Sequence, residues 1–220
     1  MERLRIGIVR VITTETAGLL EAHAVMLRRV FPCIDTVSAC IPDQPEGVFD
    51  KATETSATPK VVSVAAELAR KGAAAVIVSC CADPGVEDAR ALVDIPVIGA
   101  GSAVSAVALA CAARIGVLGI GFGAPTVMRD ILGRRMVGYA VPVGVRTTRD
   151  LFGEDCLREC IKSARSLVDM GAEAICLGCT GMSTTGVAVR LREELKIPVI
   201  DPLMAAGGVA LTAILQERVK

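Results

Sequence analysis

Gly171-Ala-Glu-Ala-Ile-Cys-Leu-Gly-Cys-Thr-Gly-Met182 is the stretch on which the reading of this chain turns. A glycine stops the helix before it, a short apolar run reads as a buried strand, and that strand ends on a cysteine opening into a polar turn. An earlier stretch, Gly72-Ala-Ala-Ala-Val-Ile-Val-Ser-Cys80, repeats the design. Cys80 and Cys179 therefore hold equivalent positions in two similar halves, and two thiols placed this way can face each other across one cleft.

The repetition extends outward from both stretches. Arg114-Ile-Gly-Val-Leu118 repeats Arg5-Ile-Gly-Ile-Val9, and Ile197-Pro-Val-Ile-Asp201 mirrors Ile95-Pro-Val-Ile-Gly99. In the first half the patterns predict strands over 4–9, 35–39, 75–79 and 95–99, with helices over 17–30, 59–71, 86–93 and 102–113. Pro59 is read as opening the second of these helices. The second half follows the same order: a strand over 114–118, a helix from about 126, a strand near 139–143, a helix over 155–170, the opening strand, a helix over 187–195, a strand over 197–201 and a final helix over 204–218. The predicted class is α/β, with two pseudo-symmetric subdomains, each a small parallel sheet flanked by helices, and the active site in the cleft between them. Residues 1–98 with 204–220 form the first subdomain and 99–203 the second. Right-handed crossovers bring the loops after the strands to one edge of each sheet, where ligands bind in open α/β folds.

Composition narrows the partners. The chain is 52% hydrophobic but only 2% aromatic, without Trp, so its core is built of Ala, Val, Ile and Leu, as suits parallel strands buried on both faces. A formal net charge of +0 and the shortage of stacking side chains argue against nucleic acid and for a small-molecule substrate. No apolar run is long enough to span a bilayer, and the N-terminus runs into a strand without signal-peptide features. Nine cysteines without regular pairing fit a reducing cytoplasm better than a disulfide framework. The apolar composition makes a homo-oligomer plausible.

Cys80-Cys-Ala-Asp-Pro-Gly85 and Leu177-Gly-Cys-Thr-Gly-Met182 resemble the two cysteine motifs of the aspartate/glutamate/hydantoin racemase superfamily, and the matching order of elements covers essentially the whole chain. Asp-Pro-Gly after the first cysteine and Gly-Met after the second are more similar to the hydantoin racemase branch. Glutamate-type racemases follow the first cysteine with Asn-Thr and the second with Thr-His, where this chain has Cys81-Ala82 and Thr180-Gly181. The resemblance implies a cofactor-independent racemase or epimerase acting on a hydantoin or amino-acid-like molecule, with Cys80 and Cys179 as catalysts. Chemistry supports the pairing: inverting a carbon requires removing a proton from one face and returning one to the other, which two groups on opposite sides accomplish with no metal or organic cofactor. A thiol of pKa about 8.5 becomes a usable base when donors lower it. Backbone N–H groups at Cys81, Ala82, Thr180 and Gly181 begin the following turns and are candidate donors to thiolate or enolate. Thr13, Thr14 and Thr126 are candidate donors to substrate oxygens, or else solvated helix caps.

Other readings stay in view. The superfamily resemblance also covers dicarboxylate cis-trans isomerases and malonate-type decarboxylases, although the latter resemble this chain only at the second cysteine. A two-lobed binding module without chemistry is the non-enzyme alternative. Cys176-Leu-Gly-Cys179 has metal-site spacing, but in a strand the two residues face opposite ways. Gly119-Ile-Gly-Phe-Gly123 lacks the full dinucleotide-binding spacing. Glu46 reads as a solvated loop carboxylate, and His23, the single histidine, as surface decoration on the first helix.

Overall fold

The short apolar runs between the helices form strands, and the strands fall into two parallel sheets of four. The computed structural model describes residues 3–121 and 123–218, with side chains through residue 216. The first sheet takes β1 (Leu4–Arg10), β2 (Ile34–Cys40), β3 (Ala75–Ser79) and β4 (Val97–Gly99) in the order β2-β1-β3-β4. The second takes β5 (Ile115–Leu118), β6 (Met136–Ala140), β7 (Ala174–Leu177) and β8 (Val199–Ile200) in the order β6-β5-β7-β8, the same topology. Helices α1 (Ala17–Val30), α2 (Lys51–Arg70) and α3 (Val86–Leu92) connect the first set, and α4 (Ala100–Cys111) leads into the second half. There α5 (Thr126–Leu132), α6 (Cys156–Asp169), the single turn α7 (Gly181–Thr184), α8 (Val187–Leu195) and α9 (Pro202–Arg218) follow.

Alternation along the strands explains why they are apolar throughout. Leu4, Ile6 and Ile8 of β1, Ala75 and Ile77 of β3, Ile115 and Val117 of β5, and Ala174 and Cys176 of β7 all point into one central core. That core also takes Val104 and Ala108 of α4 and Ala206 and Ala210 of α9. The opposite faces bury separately, Val76 and Val78 under α2 and α3, Ile175 and Leu177 under α6 and α8. Strands covered on both sides are the arrangement that parallel sheets require. At the seam α9 lies against α1, α4, β3 and β4, while α4 also touches β7. Small residues permit this closeness: a Cβ at Gly207 would lie 2.6 Å from the Phe31 ring and 2.7 Å from Leu27.

The structure departs from the sequence pattern at α2, which begins eight residues before Pro59. Asp50 caps it, accepting from the Thr53 N–H at 2.8 Å while the Thr53 hydroxyl accepts from the Asp50 N–H at 3.1 Å. This reciprocal cap starts the helix early. Pro59 sits inside it, on the exposed side of the helix with Thr55, whose carbonyl is the one that a proline four residues on leaves without its amide partner. Strand β6 is displaced toward the N-terminus, entered directly from a 3-10 turn at Gly133–Arg135.

Candidate active site

The strand ends place both thiols. Cys80 follows the last residue of β3, and Cys179 lies two residues beyond β7. Both line one cleft of about 550 Å³ between the sheets. Cys81, Ala82, Thr180 and Gly181 line it beside them, Thr13 and Thr14 approach from the loop after β1, and Thr126 from the first turn of α5. The candidate residues read from the sequence therefore share one space.

Their hydrogen bonds sort them by role. The Thr13 hydroxyl donates to the Ile41 carbonyl at 2.7 Å and accepts from the Gln44 N–H at 2.7 Å, so its hydrogen is committed to holding its loop. The Thr180 hydroxyl donates to the Ser79 carbonyl at 3.0 Å, bonding one thiol turn to the other. Among the described residues, Thr14 and Thr126 only accept in their bonds, from the Thr16 N–H and from Arg129, which leaves their hydrogens for a ligand. Neither caps a helix with its side chain. Cys81 is buried, with its sulfur 3.7 Å from the Leu177 carbonyl, across the seam from its own sheet. Cys176 faces the central core, with its thiol toward the Val104 carbonyl, while Cys179 packs in the other cluster. The Cys-x-x-Cys spacing thus splits between two faces.

Local chemistry shapes each turn. After Cys80 the chain takes Asp83 through a left-handed conformation, φ 52°, and the Asp83 carboxylate crosses to the start of α4. It accepts from the Gly101 N–H at 2.7 Å, the Ser102 N–H at 2.8 Å and the Ser102 hydroxyl. The approach is so close that a Cβ at Gly99 would land on that carboxylate. Burial pushes Asp83 up to about 6, against the pull of the Ser102 and Gly101 donors and of Arg90. After Cys179 the chain folds directly into α7. Gly181 lacks a Cβ because one there would lie 2.7 Å from Leu151 and 2.8 Å from Thr148. Its place would be 3.4 Å from the Cys179 sulfur.

The two thiols differ in their surroundings. Burial pushes the Cys80 thiol far up, opposed by the Ala82 N–H and reinforced by the charges of Cys179, Asp83 and Glu54. Burial also raises Cys179, but three donors oppose it: the Gly181 N–H, the Thr148 hydroxyl and the Met182 N–H. Donors to sulfur stabilise thiolate, so Cys179 is the better seat for the charge.

The pattern of the Asp/Glu/Hydantoin racemase family matches residues 13–208. The chain belongs to that family. It is an isomerase of the racemase kind, and its motifs place it with the hydantoin racemase branch. The hydantoin racemase of Paenarthrobacter aurescens is 30% identical over 210 residues, covering 89% of this chain and 85% of the relative. That of Rhizobium meliloti is 30% identical over 183 residues, covering 79% and 74%. The solved allantoin racemase from Klebsiella pneumoniae shares the fold, with a TM-score of 0.86 at 23% identity over 97% of this chain and 89% of its own.

Within this racemase fold several cleft residues were not legible in the sequence. His23 is 1% exposed rather than a surface residue. It, Arg10, Ser79, Thr148 and Thr184 all line the cleft. A lone histidine on an amphipathic helix carries no pattern that marks it. Thr148 comes from an irregular segment with no periodicity to place it. The glycines at 119 and 121 are explained by packing: a Cβ at Gly119 would meet the Tyr139 ring at 2.6 Å, and one at Gly121 the Phe49 carbonyl at 2.5 Å.

Proposed function

We propose that the protein interconverts the two enantiomers of a hydantoin or a related small molecule at a carbon next to a carbonyl, with Cys80 and Cys179 as the paired acid and base. The observation that carries this is the placement of both thiols in one cleft, at the ends of equivalent strands of two like sheets.

The reaction begins with Cys179 as thiolate, steadied by Gly181, Met182 and Thr148. Its sulfur takes the proton from the substrate carbon; the C–H bond breaks, an S–H bond forms, and the electron pair moves onto the carbonyl oxygen as an enolate. Cys80, held as a thiol by burial, gives its proton to the opposite face and becomes the thiolate. The electron pair returns to carbon and the configuration is inverted. The opposite enantiomer runs the same steps with the cysteines exchanged. Thr14 and Thr126 are the cleft hydroxyls with hydrogens to offer the enolate oxygen.

Each enantiomer of a series of 5-substituted hydantoins and amino acids, incubated with the protein in D2O and followed by NMR and polarimetry, tests the reading. Exchange at the α-carbon with decay of optical rotation is the expected result. Tight binding with neither signal would make the protein a binding module instead.

A further inference from the structure

His23 is buried although it sits on α1, a helix with a solvated outer face. Its imidazole is held at both ends. Nδ1 lies 2.7 Å from the Ser79 hydroxyl and Nε2 lies 2.8 Å from the Thr184 hydroxyl. Ser79 closes β3 directly before Cys80, and Thr184 closes α7, the turn that opens two residues after Cys179. One ring thus spans from α1 to the segments bearing both thiols. The Thr180 to Ser79 bond joins the same two segments a second time. The helix is itself fixed to β1, because Arg10 Nη1 donates to the carbonyls of Leu19 and Leu20 at 2.7 and 3.1 Å, one turn before His23.

We propose that His23 is a positioning residue that sets the spacing of Cys80 and Cys179 across the cleft, by bridging Ser79 on one thiol segment to Thr184 on the other. For its kinetic consequence the proposal rests on the racemase reading above. Burial first, then the charge of Arg10, hold the imidazole well below its ordinary pKa against an opposing contribution from the Thr180 backbone. The ring is therefore neutral, with one N–H and one lone pair. One hydroxyl accepts from it and the other donates to it, so the bridge is directional. With both nitrogens bonded to side-chain hydroxyls, the ring has no free nitrogen to offer a substrate. Its effect passes through the two segments that it ties.

Two sulfurs must reach opposite faces of one carbon, so a displacement of about 1 Å in either segment costs on the order of 100-fold in rate. Three variants separate the ends of the bridge. His23→Asn keeps an amide near the Nδ1 position and so the Ser79 bond; His23→Gln reaches the Nε2 position and keeps the Thr184 bond; Thr184→Val removes one hydroxyl without changing shape. In each, kcat and KM are measured for racemisation of a 5-substituted hydantoin, and iodoacetamide alkylation of Cys80 and Cys179 in the native protein is followed by peptide mass spectrometry. The expected result is a kcat loss on the order of 100-fold with KM changed less than about threefold, altered alkylation rates at both cysteines, and recovery of both readouts in Thr184→Ser. Wild-type kcat in the folded variants, or a loss confined to KM, overturns the proposal. Should the histidine variants fail to fold, the Thr184→Val and Thr184→Ser pair decides it in the same way. Should the wild-type protein racemise nothing, the racemase reading falls, and alkylation still decides the bridge: changed rates at both cysteines uphold it and unchanged rates overturn it.

Discussion

The turn after Cys80 and the turn after Cys179 begin from equivalent strand ends, yet each is anchored by a carboxylate from a different place. In the first half the acid belongs to the thiol turn: Asp83 reaches across to the amides that open α4, and the strand end beside it is Gly99. In the second half the strand end carries the acid. Asp201, at the position matching Gly99, accepts from the Leu203 and Met204 N–H groups that open α9, at 2.9 and 3.2 Å, and from the Ser183 hydroxyl at 3.0 Å. The same carboxylate is supplied from opposite sides of one contact. Moving it has a consequence for the sulfurs. The Cys80 turn spends itself on a left-handed residue and a crossing side chain, and offers its thiol one backbone donor; the Cys179 turn, relieved of that task, coils into α7 and offers two backbone donors besides Thr148. Two halves of one topology thereby surround their thiols with unequal sets of donors, which a reaction needing one thiolate and one thiol at rest can use.

Removing a sulfur tests that inequality most severely. Cys179→Ser and Cys80→Ser are each expected to lower racemisation by roughly 10³-fold or more, since acid/base groups contribute on the order of 10² to 10⁴. They differ in what survives. With Cys179 still present as base, Cys80→Ser retains solvent-deuterium exchange of one enantiomer without inversion, whereas Cys179→Ser leaves Cys80, with its single backbone donor, as base and retains only slower exchange of the opposite enantiomer, as NMR on the separate enantiomers would record. Equal loss of exchange in the two variants would break the comparison. The next largest effect is on folding. Asp83→Ala leaves the Gly101 and Ser102 amides without an acceptor and is expected to cost about 2 to 4 kcal/mol in urea unfolding. Gly99→Asp alone forces a side chain onto the Asp83 carboxylate and also destabilises. Joined with Asp83→Ala, it rebuilds the arrangement of the second half, so the pair is expected to be more stable than either single variant.

The doubling of the fold was legible because parallel strands buried on both faces leave unbroken apolar runs, and the Ile-Pro-Val-Ile repeats mark the same strand in each half. The thiols were legible for the same reason, as matched ends of matched runs. The mismatch at the ends of those repeats, Gly99 against Asp201, was also in the sequence, but its meaning needs the Asp83 side chain folded back onto Gly99, a contact of the tertiary structure. His23 and Thr148 were hidden more deeply. The first is polar on the buried face of a helix, where periodicity expects an apolar residue, and the second lies in a 3-10 segment that no pattern predicts.

Asp83 gives the comparison a pH dependence. Its carboxyl titrates near about 6 in the folded protein against 3.8 as an ordinary side chain. A raised acid binds its proton more tightly when folded, so its contribution to stability is complete below 3.8 and is lost as pH rises through about 6. The cost of Asp83→Ala in urea unfolding is therefore expected to be larger at pH 4 than at pH 7.5, by about 2 to 3 kcal/mol. A cost independent of pH would mean that the anchor of the Cys80 turn is not a buried, proton-sensitive one.

The smallest effect isolates one donor. Thr148 comes from a segment that touches the Cys179 turn, and its hydroxyl is the one side-chain donor opposing the burial of that sulfur. Thr148→Val keeps the shape and the packing against Gly181 while removing the hydrogen bond. A hydrogen bond to a charged group contributes about 1.5 kcal/mol or more, so less thiolate forms at a given pH and alkylation of Cys179 at pH 8 is expected to slow about tenfold. Cys80 has its own donor in Ala82 and is expected to react at an unchanged rate. Equal slowing at both cysteines would mean that the substitution shifted the cleft as a whole. Slowing at Cys179 alone would place the inequality of the two thiols in the donors of the second turn rather than in their depth.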